Sequence, residues 1–71
     1  MFSHEILKKV REEKGLSLDG LATELGKTGF RVSRQTVWNW ESGRHVPDAN
    51  AIVALSEFFR KPLEYFFKQK Q

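Results

Sequence analysis

Apolar residues recur along this chain in short blocks at helical spacing, and each block is bounded by residues that start or stop a helix. Ile6, Leu7 and Val10 share one face of a segment that Ser3 can cap and that runs to about Lys14, with Gly15 placed for a left-handed C-terminal cap. Ser17 opens a second segment, Leu18 to about Leu25, in which Leu18, Leu21, Ala22 and Leu25 form a buried stripe and Gly26 is expected to stop the helix. Ser33 caps a third helix ending at Ser42-Gly43. Asp48, just after Pro47, caps a fourth whose stripe is Ile52, Leu55, Phe58 and Phe59. Pro62 is preset for the first turn of a short fifth helix holding Leu63, Phe66 and Phe67. Between the second and third helices, Gly26 to Arg31 predicts a loop with Phe30 turned inward. No strand-period alternation, internal repeat or low-complexity segment breaks this pattern. It predicts an all-α fold of five short helices around one core, a single domain over residues 1–71 with a frayed tail at 68–71.

The third helix carries two faces of different character. Turning about 100° per residue puts Arg34, Gln35, Trp38, Asn39 and Ser42 on one side, and Ser33, Thr36, Val37 and Trp40 on the other. The second face can pack, with Trp40 in the core beside Val37. The first can read, because Arg, Gln and Asn present planar donor and acceptor forks that match guanine and adenine edges in a major groove.

Composition narrows the picture. Seventy-one residues sit near the lower limit for one hydrophobic core, which leaves no room for a large enclosed catalytic cleft. The absence of cysteine removes disulfides, thiolate zinc sites and cysteine nucleophiles. No apolar run approaches the roughly 20 residues that span a bilayer, and the N-terminus lacks the layout of a signal peptide, so a soluble cytoplasmic protein is expected. The net charge of +3 is unevenly placed: Lys27, Arg31, Arg34 and Arg44 stand against Glu41 between positions 27 and 45, while the rest of the chain is balanced. The excess surrounds the proposed reading helix, where a polyanion would meet it.

In their order and spacing, these signals resemble the phage-repressor and Cro-like (xenobiotic-response-element type) helix-turn-helix family of bacterial transcription regulators. Arg11 to Ser17 is similar to the family's end of helix one, and Leu21-Ala22 with Leu25-Gly26 to its helix two. Val32 to Gly43 resembles its recognition helix, Trp40-Glu41-Ser42-Gly43-Arg44 followed by Pro47 its next loop, and Leu63 to Phe67 its last helix. The resemblance covers nearly the whole chain. It implies a compact lambda-repressor-like domain that binds double-stranded DNA through the major groove, with repression the expected mode.

Carried over position by position, the resemblance implies base contacts from Arg34, Gln35 and Asn39, and phosphate contacts from Ser33, Arg44 and His45; Trp38, on the same outward face, is counted with the base readers. Arg11 and Glu41 match a salt bridge that orients the reading helix. There are two departures. Leu18 stands where the family often has a phosphate-binding Gln, and about five residues, Lys27 to Arg31, are inserted in the turn. Lys27 and Arg31 in that longer turn are expected to add phosphate contacts. Trp38 either meets a thymine methyl or sugar, or folds over Phe30 and the turn.

Other chemistries lack support. His4 and His45 have no second ligand at metal spacing, so no metal or other cofactor is expected. Gly26-Lys27-Thr28 has Leu21 where a phosphate-binding loop needs glycine, and no nucleophile elbow is present, so the chain is not expected to be an enzyme. No small-molecule effector is evident. Phe58, Phe59, Tyr65, Phe66 and Phe67 are too dense an aromatic group for all five to be buried, which points to a weak homodimer through helices four and five. The competing class is a protein-interaction module or antitoxin-type subunit that docks a partner through Trp38 and these aromatics.

Overall fold

A computed structural model describes residues 1–67, so the expected fraying at 68–71 lies outside the described residues. The chain forms α1 (His4–Glu13), α2 (Leu18–Lys27), α3 (Arg34–Ser42), α4 (Ala49–Phe59) and one 3₁₀ turn (Leu63–Phe66). All four α-helices begin on a side-chain cap that accepts a backbone N–H three residues on: Ser3 from Ile6, Ser17 from Gly20, Ser33 from Thr36 and Asp48 from Ala51. Gly15 takes the left-handed conformation just past α1, with φ 73°.

The expected fifth helix is a single 3₁₀ turn. Arg60 leaves α4 in a left-handed conformation (φ 56°), and Phe67 is already extended, with φ −110° and ψ 127°. The cause is a clasp with the N-terminus. Phe67 forms an isolated antiparallel bridge with Phe2, and the Ser3 N–H donates to the Phe66 carbonyl at 2.7 Å. Continuing the helix would break both. Phe2 also stacks on Phe66 and meets Phe67 edge-on, with ring centroids 6.5 and 6.2 Å apart.

Gly26 does not stop α2. The helix runs through it to Lys27, and Gly29, at φ 99°, supplies the left-handed residue that ends it. The Leu25 carbonyl accepts the Phe30 N–H at 3.1 Å and the Thr28 hydroxyl at 2.6 Å, so the orphaned end of the helix is satisfied beyond the glycine expected to close it. Part of the apparent insertion is therefore an added half-turn of helix.

The core joins Leu7 and Val10 of α1, Leu21 and Leu25 of α2, Val37 and Trp40 of α3, Ala51, Leu55 and Phe59 of α4, and Phe66. Every element buries residues there, which fixes the four helices relative to one another. Of the C-terminal aromatics, Phe59 and Phe66 are buried while Phe58, Tyr65 and Phe67 are half-buried. Lys14 and Lys61 lie over the rings of Phe58 and Tyr65, at 5.3 and 4.8 Å from the centroids. Among the described residues, no helix is long and apolar enough to cross a membrane.

Candidate nucleic-acid interface

The inner face of α3 is held in two ways. Val37 and Trp40 enter the core, and Glu41 meets Arg11 of α1. Arg11 Nε donates to Glu41 Oε2 at 2.6 Å and Nη2 to Oε1 at 3.0 Å, a fork-to-fork arrangement. Nη1 donates to the Leu16 carbonyl at 2.7 Å, so the same guanidinium also ties down the loop between α1 and α2. Both side chains are largely withdrawn from solvent, at 11% and 6% exposure. Its hydrogen bonds to Glu41, opposed by burial and helped by the charge of that carboxylate, hold the Arg11 guanidinium above its ordinary value. Leu16 as a third partner had no signal in the sequence, because its contribution is a backbone carbonyl.

This anchoring turns the other side of α3 to solvent. Arg34, Gln35, Trp38 and Ser42 are exposed and Asn39 is partly so. Gln35 Nε2 donates to Asn39 Oδ1 at 3.3 Å along the helix. Arg34 Nε lies 4.0 Å from Asp19 Oδ2, and the two side chains are 67% and 76% exposed. This contact is loose and solvated, worth little to stability. Asp19 is an acidic neighbour that helical spacing within one element could not reveal, since it sits at the start of α2.

Of the two surroundings expected for Trp38, the fold does not supply the one against Phe30. Phe30 lines a cleft with Asn50, Val53, Ala54 and Phe58 of α4, away from Trp38. Trp38 instead borders Leu18, Arg34 and Gln35, and the Arg44 guanidinium lies 5.4 Å from its ring centroid. Trp38 and Phe30 thus line separate clefts, Phe30 beside α4 and Trp38 beside α2.

The ends of α3 expose the phosphate candidates. Ser33 Oγ accepts the Thr36 N–H at 3.1 Å and is hydrogen-bonded to the Thr36 hydroxyl at 3.0 Å, while Ser33 itself remains exposed. At the other end Gly43 is left-handed, φ 83°, and a Cβ built there would stand 3.4 Å from the His4 ring. The Asn39 carbonyl then accepts the N–H groups of Arg44 and His45, at 3.0 and 3.2 Å, which places both exposed side chains just beyond the helix. Lys27 lies in the last turn of α2, not in the loop, and pairs with Glu24 at 3.0 Å. It lines one open groove with Arg31. The structure thus gathers Arg34, Gln35, Trp38 and Asn39 on one helix face, puts Ser33, Arg44 and His45 at its ends, and sets Lys27 and Arg31 together at the preceding turn.

Two helices joined by a turn, the second presenting a polar and positively charged face, define a DNA-binding helix-turn-helix protein. A family model described as helix-turn-helix matches residues 7–66, and the chain belongs to that phage-repressor and Cro-like family of DNA-binding regulators. No curated protein matches the chain. No solved structure matches it either.

Proposed function

We propose that this protein is a sequence-specific, double-stranded-DNA-binding transcriptional regulator, a repressor that works by occupying an operator with α3 in the major groove. The observation that carries the reading is the contrast across α3: an outer face of Arg34, Gln35 and Asn39 on a helix whose inner face is fixed by the bidentate Arg11–Glu41 pair. Arg34 forks onto guanine O6 and N7. Gln35 spends one N–H on Asn39 and keeps its carbonyl and second N–H, the acceptor and donor that adenine N6 and N7 require, so it is the better adenine reader of the two amides. Ser33, Lys27, Arg31, Arg44 and His45 hold phosphates on either side.

A weak homodimer through α4 and the 3₁₀ turn, whose exposed apolar residues are Val53 and Leu63, would set two copies of α3 about 34 Å apart on a pseudo-palindrome. Titration with mixed genomic duplex at low and moderate salt tests the central reading, and selection of bound duplexes from a random pool then gives base preference and half-site symmetry. Strongly salt-dependent binding is expected even without the operator. No measurable binding at low salt would overturn the reading in favour of a protein-docking module.

A further inference from the structure

Between α2 and α3, beside the outer face of α3, lies a cleft of mixed polar and apolar lining whose apolar part is not used by hydrogen bonding to base edges. It measures about 220 Å³ and is lined by Leu18, Trp38, Arg34 and Gln35. Leu18 is half-buried and Trp38 is 40% exposed. With the aliphatic stem of Arg34, these two side chains give an otherwise polar face one small apolar spot. Cations flank it: Arg34 forms one wall, and the Arg44 guanidinium stands 5.4 Å from the Trp38 ring centroid, which restrains the indole and brings positive charge beside the cleft. An apolar spot of Leu18 and Trp38 with arginines beside it fits a small apolar group carried on a polyanion.

The floor of the major groove offers one such group, the C5-methyl of a pyrimidine. We propose that the cleft between Leu18 and Trp38 takes the C5-methyl of a pyrimidine neighbouring the base pair read by Arg34. The stem of Arg34 forms one side of the cleft while its guanidinium reaches the adjacent guanine, so one side chain couples recognition of the two positions. The inference rests on the DNA-binding reading above and gives it a chemical requirement: a methyl group at a defined pyrimidine, from thymine or from 5-methylcytosine. Leu18 is then a specificity-determining residue in place of the phosphate contact that glutamine at this position would make.

The test uses the full chain and duplexes recovered from a random pool, resynthesised with deoxyuridine at each thymidine in turn. Removing the methyl at one thymine is expected to lower affinity about fourfold, the effect of returning one buried methyl to water. The loss is expected to shrink to nothing in Trp38→Ala and in Leu18→Gln; both positions have solvent-facing surface, and circular dichroism checks that each variant folds. A parallel pool made with 5-methyl-dCTP separates the sources: enrichment of 5-methylcytosine at that position shows that either methyl serves, and continued enrichment of thymine there shows that thymine is the natural one. If duplexes are recovered but no thymine responds to deoxyuridine, the cleft faces the sugar-phosphate backbone and the proposal fails alone. A methyl effect undiminished in both variants also refutes it. Recovery of no duplex at all would overturn this proposal together with the DNA-binding reading.

Discussion

On either side of α3 stand an arginine–carboxylate pair and a tryptophan, and the same chemistry serves opposite ends. On the inner side Arg11 and Glu41 meet through two hydrogen bonds of 2.6 and 3.0 Å with little exposure, and Trp40 is 6% exposed. On the outer side Arg34 and Asp19 approach only to 4.0 Å in full solvent, and Trp38 is 40% exposed. The difference is one of hydration. A desolvated pair cannot exchange partners cheaply, so it fixes position; a solvated one gives up its partner at almost no cost, so it can be traded for a base. Under the proposed function, Arg34 stays near Asp19 without being committed to it.

The largest effect that could break this comparison is expected at Glu41. Glu41→Ala leaves the Arg11 guanidinium buried with the Leu16 carbonyl as its remaining strong acceptor, and removal of one partner from such a pair costs about 3 to 5 kcal/mol. For a chain of this size the loss in Tm should exceed about 12 °C, measured by thermal denaturation. Asp19→Ala, the outer counterpart, should stay within about 0.5 kcal/mol of the parent. Equal losses would mean that the two pairs do the same job.

The pH dependence has a definite sign. Because the Arg11 value is raised, the stability this group confers is fully present below arginine's ordinary range and is lost only as pH rises through the raised value. Between about pH 7 and 10 the gap in Tm between parent and Glu41→Ala should therefore stay constant.

The next effect is smaller and appears in binding. Arg34→Ala should relax preference at one base position by about 1 to 3 kcal/mol, read from competition among single-base variants of a selected duplex. Arg44→Ala should instead weaken every sequence alike and reduce the salt slope by about 1. Uniform loss in both would show that Arg34 is only another phosphate contact, and the outer face would then steer without reading.

How far these features were legible in the sequence depends on how local their causes are. All four caps, the stripe of α2 and the polar face of α3 follow from residues within one or two turns, and these were readable. The end of α2 was misplaced because two glycines competed, and the choice of Gly29 over Gly26 was made by Thr28 and Phe30 bonding back to Leu25. The fifth helix shrank to a 3₁₀ turn because Phe67 was claimed by Phe2 from the opposite end of the chain, a contact with no local signature. Within the interface, helical spacing grouped Arg34, Gln35, Trp38 and Asn39, but the neighbours that qualify them, Asp19, Leu18 and Arg44, come from other elements.

The smallest expected effect concerns the turn that enters α3. Lys27 and Arg31 line one groove, but Lys27 is already paired with Glu24 at 3.0 Å on an exposed surface. Such a pair contributes between about 0 and 1 kcal/mol, so it does not prevent Lys27 from moving to a phosphate. Replacing both Lys27 and Arg31 with alanine should leave Tm nearly unchanged, lower affinity for all duplexes, and flatten the plot of log affinity against log salt by about 0.9 for each phosphate lost. Base preference should survive, because neither residue reaches the outer face of α3. A slope reduced by one contact, and only when Arg31 is replaced, would show that Glu24 keeps Lys27 on the protein; an unchanged slope would show that the longer turn stands clear of DNA and that reading and anchoring are confined to α3 and its two ends.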